Sequence, residues 1–275
     1  LPTPITDPAD PRIEAYRDIR ERDLVGRRGL FVAEGEVVLR LLARQRGYET
    51  LSVLIDDKRL DKLSPILETL PPETPVYTAG QAVMDAIAGF HLHRGILALA
   101  RRTDPPSATD LLKSLPERAL VLALVGISNH DNMGGLFRNA AAFGVDAVLL
   151  DPGCCDPLYR KAIRVSVGGV LVTPFARLAE GEDLNGLLET AGLTALALSP
   201  GGATPLSRLD PPPRAALIAG AEGPGLPDAI LASCLTVTIP MAAGFDSLNV
   251  ATAVGIALHH LAGEPGAGDG VSKPC

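Results

Sequence analysis

The sequence predicts an α/β protein whose C-terminal part is a parallel sheet covered on both faces, preceded by a small α/β domain. Three observations carry this. From residue 119 on, the segments ALVLALVG, AVLL, GVLVTPF, TALAL, AALIAG and LTVTIP recur without polar alternation, as expected of parallel strands buried on both sides. Helical stretches fall between most of them. Before residue 103 shorter strands and helices alternate, and the turn-rich Thr103–Ala108 (TDPPSA) separates the two regions.

Taken in order, residues 9–24 are charged and helix-prone, and Gly35–Arg46 places Val37, Val38, Leu41 and Leu42 at helical spacing. Leu51–Ile55 is a strand candidate and Lys58–Leu70 an amphipathic helix. Pro75–Tyr77 is a short strand, Gln81–Ala88 a helix and Gly95–Ala100 another strand. These make a small domain over 1–103, followed by a linker over 104–117. The larger domain runs over 118–264. Its last helix, Ser247–Leu261, is apolar almost all round and therefore expected to be buried. Residues 265–275 read as a frayed tail.

A hydrophobic fraction of 47% is ordinary for a globular protein, and no apolar run is long enough to span a bilayer. The stretch LPTPITDPADPRIEAYRDIRERD lacks the basic-then-apolar layout of a signal peptide. The four cysteines, two of them the adjacent Cys154 and Cys155, form no C-x-x-C pair, so a reduced cytoplasmic protein without a metal site is expected. The net charge of −7 argues against avid, indiscriminate binding to nucleic acid. Its distribution still leaves room for a focused basic surface. Residues 1–103 carry 15 basic and 15 acidic side chains, so the remainder, with 10 against 17, holds the deficit. Arg12, Arg17, Arg20, Arg22, Arg27 and Arg28 lie close together in the first part, and Arg160, Lys161 and Arg164 cluster in the second. With no Trp and few other aromatic residues, a base-stacking platform is not expected.

Three glycine-rich junctions carry the chemistry. In ISNHDNMGGLFRNAAAFGVD a strand ends near Gly126 and a helix is expected to begin close to Met133, with Asn132 as its N-cap. Gly134 and Gly135 would bare the first turn, and Arg138, four residues after Gly134, would project over the same face. A donor, a free helix N-terminus and a cation on one face suit a phosphodiester and its ribose. Alone, the segment fits a capped helix with a surface arginine better, since short motifs match by chance. In AALIAGAEGPGLPDAILASC an apolar strand stops at Gly220, and Glu222 stands among glycines that can wrap a flat ligand. A carboxylate at the end of an interior strand needs a partner, for which Arg138 is the natural candidate. The spacing does not match G-x-G-x-x-G, so a dinucleotide site is set aside. In TVTIPMAAGFDSLNVATAVGIALHHL a strand ends at Ile239-Pro240, Asp246 or Ser247 is expected to cap the last helix, and Asn249 would fall in its first turn.

In this order the junctions resemble the three motifs of the SpoU/TrmH family of RNA 2′-O-ribose methyltransferases, in the SPOUT superfamily. The first is similar to Asn132-Met133-Gly134-Gly135-Leu136-Phe137-Arg138, the second to Gly220–Leu226, the third to Ile239-Pro240-Met241 with Ser247-Leu248-Asn249-Val250. The likeness covers about residues 118–263, and CDPLYRKAIRVSVGG looks like the family's segment between motifs one and two. FVAEGEVVLRLL and GFHLHRGILAL suggest the family's small substrate-binding domain; His91 and His93 there flank a turn.

The resemblance implies a parallel sheet with a deep trefoil knot, a homodimer, RNA (ribosomal or transfer) as substrate and S-adenosylmethionine as cofactor. It implies that Gly220, Ile239, Met241, Ser247, Leu248 and Asn249 hold the cofactor, with Asn132, Arg138, Glu222 and Asn249 at the reacting centre. The basic Arg160, Lys161 and Arg164 would contact RNA. The family proposal makes Arg138 the general base, but a guanidinium resists deprotonation, so stabilising the developing alkoxide is the alternative role. His130, where the family more often has a proline-glycine-like turn, is a further candidate base. Two other functions fit the chain: a non-catalytic RNA-binding or assembly protein that keeps the fold, and a small-molecule methyltransferase, which the acidic charge favours.

Overall fold

The computed structural model of the chain describes residues 2–17, 29–45, 47–88, 95–242, 244 and 246–263. Arg20, Arg22, Arg27, Arg28, His91, His93 and the tail lie outside them. The chain divides into two compact units. One is Leu1–Pro105 with Asn129–Arg138 and Cys155–Val172; the other is Pro106–Ser128 with Asn139–Cys154 and Thr173–Cys275.

The first unit is built on a five-stranded sheet of β1 (Thr3–Ile5), β2 (Leu30–Glu34), β3 (Tyr48–Asp56), β4 (Val76–Ala79) and β5 (Ile96–Arg102). Their order is β1-β4-β3-β5-β2. β4 runs parallel to β1 and β3, whereas β5 is antiparallel to both its neighbours. The accompanying helices are α1 (Glu36–Leu42), α2 (Leu60–Leu67) and α3 (Gln81–Ala88). Ile13, Leu54, Met84 and Ile87 form the centre of the core. The buried Tyr16 hydroxyl is satisfied there by Ser52 Oγ at 2.6 Å and by the Leu99 N–H at 3.3 Å. Two strands, β1 and β2, go beyond the sequence expectation: β1 has only three residues, and the apolar run in β2 (LFVAE) lacks the alternation that would mark a strand. The helix expected over 9–24 is, in its described part, one 3₁₀ stretch, Pro11–Tyr16, capped by Asp10.

The second unit holds β6 (Ala119–Val125), β7 (Ala147–Leu150), β8 (Phe175–Arg177), β9 (Thr194–Leu198), β10 (Thr204–Pro205), β11 (Arg214–Gly220) and β12 (Leu235–Thr238). They form one sheet in the order β10-β12-β9-β11-β6-β7-β8. Every pairing in it is parallel, as the unalternating apolar runs predicted. The helices that follow Lys113 are α5 (His130–Ala142), α6 (Arg160–Val165), α7 (Gly169–Val172), α8 (Leu184–Thr190), α9 (Asp228–Ser233) and α10 (Val250–Ala262). α6, α7 and the first turns of α5 belong to the first unit.

Three local expectations are corrected. The stretch 104–117 is not all linker, because α4 (Ala108–Lys113) lies within it. Ser107 caps this helix by accepting from the Asp110 N–H, and Leu111 and Leu112 are buried in the second unit's core. GVLVTPF is not one strand. Its first four residues form α7, where Ser166 Oγ accepts from the Val170 N–H, and only Phe175–Arg177 pairs in the sheet. A four-residue apolar run cannot distinguish a buried strand from a buried helical turn. Finally, α10 buries Val254, Ala257, Leu258 and Leu261 but exposes Thr252, Ile256 and His259. Among the described residues no helix is long and apolar enough to cross a membrane.

Candidate active site

In the second unit, the carboxyl ends of the neighbouring strands β12, β9 and β11 open on a cavity of about 310 Å³. Ligands of open parallel sheets bind outside such strand ends. Leu198–Pro200 line the cavity from β9, Gly220–Leu226 from β11, and Ile239 and Met241 from β12. Ser247, Leu248, Val250 and Ala253 close it from the α10 side.

The glycine loop after β11 is folded tightly on itself. The Gly225 N–H donates to the Ala221 carbonyl at 3.1 Å, and Gly223 and Gly225 take φ values of +89° and +69°. A Cβ on Gly220 would lie 2.5 Å from the carbonyl carbon and oxygen of Gly225. Only glycine fits there, and the bare backbone stays available to a ligand.

Asn249 joins this loop to α10. Its Oδ1 accepts from the N–H groups of Ala251 and Thr252, which makes it the N-cap. Its Nδ2 donates to Glu222 Oε1 at 2.8 Å. Two expectations are thereby corrected: neither Asp246 nor Ser247 is the cap, and the partner of Glu222 is Asn249 rather than Arg138. The cap is a local choice among three neighbouring polar residues, whereas the Asn249–Glu222 contact spans 27 positions and is not encoded by local composition.

The first junction also differs from expectation. α5 begins at His130, three residues early, and its first N–H groups, those of Asp131 and Asn132, donate to Asn129 Oδ1 at 2.8 and 3.3 Å. Asn132 is therefore not the cap; it is buried in the first turn. The face expected to be bare is covered. A Cβ on Gly134 would lie 2.6 Å from Val165 Cβ and 2.8 Å from the Ala162 carbonyl, so this glycine admits α6 rather than a ligand. Arg138 is exposed, and no described residue hydrogen-bonds or ion-pairs with it. The His130 ring lies 4.4 Å from that of Tyr159.

Asn132, Arg138, Arg160, Lys161 and Arg164 thus fall in the first unit, whereas Gly220, Glu222, Ile239, Met241, Ser247, Leu248 and Asn249 come together in the second. Of the basic cluster, Lys161 pairs with Asp131 at 2.7 Å, and Arg160 lies 3.9 Å from the buried carboxylate of Glu34. Arg164 stays exposed.

Sequence reasoning missed a brace at the ends of β6, β7 and β8. Asp151 Oδ1 accepts from the Gly126 N–H at 2.9 Å, and Arg177 donates to the carbonyls of Asp151 and Cys154. Burial pushes the Cys154 thiol up to about 12, and it donates to the Leu124 carbonyl. An aspartate following an apolar strand was the available signal. Among the described residues no group of three or more His, Cys, Asp or Glu side chains is placed to hold a metal ion.

Known proteins resemble this chain in sequence and in fold. A "tRNA/rRNA methyltransferase" of Mycobacterium bovis, itself uncharacterized, is 40% identical over 93% of this chain and 90% of its own length. The 23S rRNA (guanosine-2′-O-)-methyltransferase of Acinetobacter baylyi is 30% identical over 74% of this chain and 84% of its own. An AdoMet-bound rRNA methyltransferase from Sinorhizobium meliloti has the same fold, with a TM-score of 0.81 and 22% identity over 94% of this chain and 97% of that one. An RNA 2′-O ribose methyltransferase of known structure gives a TM-score of 0.77 and 26% identity, covering 94% and 98%. With the sequence profile of the SpoU rRNA Methylase family matching residues 119–259, over the very strands and loops that build the cavity, the chain belongs to that family.

Proposed function

We propose that this protein transfers the methyl group of S-adenosylmethionine to a ribose 2′-hydroxyl of RNA. The observation that carries the reading is the cavity at the ends of β12, β9 and β11, which gathers the six residues Gly220, Glu222, Ile239, Met241, Ser247 and Leu248 from two separate motifs. Its walls suit this cofactor. Leu198, Met241 and Leu248 offer apolar contact to a flat base, and the glycine loop offers backbone groups that no side chain blocks. The AdoMet-bound Sinorhizobium neighbour supports the same cofactor here. The 2′-hydroxyl as acceptor is supported by the 2′-O activity of the Acinetobacter relative.

When bound, the cofactor supplies an electrophilic methyl on sulfur. The chain must align that methyl with a ribose oxygen and stabilise the oxygen as its proton leaves. Gly220, Ile239, Met241, Ser247 and Leu248 hold the cofactor. Asn249 fixes Glu222 and with it the loop. Arg138, exposed and uncommitted among the described residues, is the cation that stabilises the developing alkoxide and the adjacent phosphate. Asn132 orients the hydroxyl. Arg164, with Arg160 and Lys161 where RNA displaces their present partners, contacts the backbone. Residues 1–103 serve as the small RNA-binding domain and 118–264 as the methyltransferase domain, and such a substrate implies the cytoplasm. The exposed face of α10, with Gly255 and Ile256 beside Asn139 and Phe143, is the surface for a homodimer.

The test is incubation of total RNA from a deletion strain with the enzyme and labelled S-adenosylmethionine, followed by mapping of the methylated nucleotide. The expected result is one 2′-O-methylated position. Arg138→Ala is expected to lose about 10²-fold or more in turnover while calorimetry shows unchanged cofactor binding. Label in no RNA overturns the reading. Label in a small molecule without RNA would support the alternative that the −7 charge favours.

A further inference from the structure

One residue beyond Arg138, Asn139 is half-buried on α5, and no family motif quoted above includes it. Its Nδ2 donates to the Ala251 carbonyl at 2.6 Å. That carbonyl lies in the first turn of α10. The side chain reaches it because residue 255, one turn on, is glycine. A Cβ there would lie 3.0 Å from Nδ2 and 3.3 Å from Cγ of Asn139. The contact continues into the cavity wall. The Ala251 N–H donates to Asn249 Oδ1, Asn249 Nδ2 donates to Glu222, and the adjacent Val250 and Ala253 line the cavity. A run of polar contacts therefore links α5 to the glycine loop, and Asn139 is its end on α5.

We propose that Asn139 is a positioning residue that locks the register of α10 against α5, and so sets the cofactor wall formed by Val250, Ala253 and the Asn249–Glu222 pair. The inference rests on this cavity being the S-adenosylmethionine site. Packing alone does not call for an amide, because an apolar residue fills such a gap at lower desolvation cost. What the amide adds is a directional donor. Aspartate has the same shape but turns acceptors toward the Ala251 carbonyl, so Asn139→Asp must be worse than Asn139→Ala. A residue that only fills space would show the reverse order. Gly255→Ala crowds the same contact from the other side.

Calorimetric titration of S-adenosylmethionine into the full-length wild type, Asn139→Ala, Asn139→Asp and Gly255→Ala tests this, with the mass of each followed by light scattering and its folding by thermal melting. Expected is a Kd weakened about fivefold in Asn139→Ala, the change that loss of one net hydrogen bond brings. Asn139→Asp should be weaker still, and Gly255→Ala should move in the same direction, each at wild-type mass. Wild-type affinity in Asn139→Ala overturns the proposal. So does an Asp variant that binds no worse than the Ala variant, or a loss of affinity that merely follows a change of mass. Should either Asn139 variant fail to fold, Gly255→Ala alone decides: unchanged affinity overturns, weakened affinity supports. Absence of binding by the wild type, by contrast, overturns the cofactor reading and this inference with it.

Discussion

Asn249 satisfies three neighbours with one side chain: two free N–H groups of α10 and the carboxylate of Glu222. An asparagine can do this because it carries an acceptor and two donors; aspartate would repel Glu222 and leucine would leave the helix uncapped. Residues of this kind were legible in the sequence as types but not as roles. ISNHDN contains two asparagines three positions apart, and either has the chemistry of a cap. The earlier one, Asn129, caps, and Asn132 is buried behind it. Gly220 is the clearest single-residue requirement. Gly220→Ala puts a methyl 2.5 Å from the Gly225 backbone, which must move into or away from the cavity. The expected outcome in a calorimetric titration is a loss of S-adenosylmethionine affinity of about tenfold, equivalent to about 1.4 kcal/mol, beside the loss of about 1–3 kcal/mol of stability that overpacking brings. Unchanged affinity would show that the loop takes no part in binding.

At the scale of elements, glycine spacing was informative but its object was not. Gly134 looked like an opening for a ligand and is instead where α6 seats against α5. The pattern records close approach to something, and a helix is as good a reason as a phosphate. Gly134→Ala therefore overpacks this contact at Val165 and Ala162 and should destabilise the protein by about 1–3 kcal/mol. A thermal melt checks it: in a chain of this size each kcal/mol corresponds to roughly 2–4 °C. No fall in melting temperature would mean that α6 yields freely. The run GVLV teaches a related lesson. Its composition suits a strand, yet it forms α7, where the Gly169 and Leu171 N–H groups donate to the Ser166 and Gly168 carbonyls and the Val170 N–H to Ser166 Oγ, not to a neighbouring strand. The long strands β6 and β11, seven residues each, left no such choice.

For the whole molecule, pH dependence follows from groups buried in their neutral form. Burial raises Tyr48 and Cys154 to about 12 each and lifts Tyr16 higher still, from ordinary values of 10.0, 9.0 and 10.0. The sign is fixed by linkage. Below pH 9 these groups are neutral in both folded and unfolded chains, and their contribution is fully present. As pH rises from 9 toward 12 the unfolded chain releases protons that the folded chain retains, so stability is lost. Melting temperature should therefore decline progressively above pH 9 while these groups leave it unaffected between pH 7 and 8.5. A melting series that stays level to pH 11 would contradict this, and in Cys154→Ala the decline should begin at higher pH.

By itself the sequence determined the parallel sheet of the second unit, because a strand buried on both faces has no place for polar alternation, and ALVLALV and RAALIAG show none. It also determined the motif residues and their family, since those rest on residue type and order. Tertiary structure alone decided which of them meet. The cavity draws on residues near 198, 220, 239 and 248, brought together by the strand order β12-β9-β11 and by α10. Local pattern encodes burial and turns within a few residues, whereas strand order is settled by packing over the entire chain. For the same reason only the folded chain could assign Glu222 to Asn249, close Gly134 under α6 and join Asn139 to Ala251.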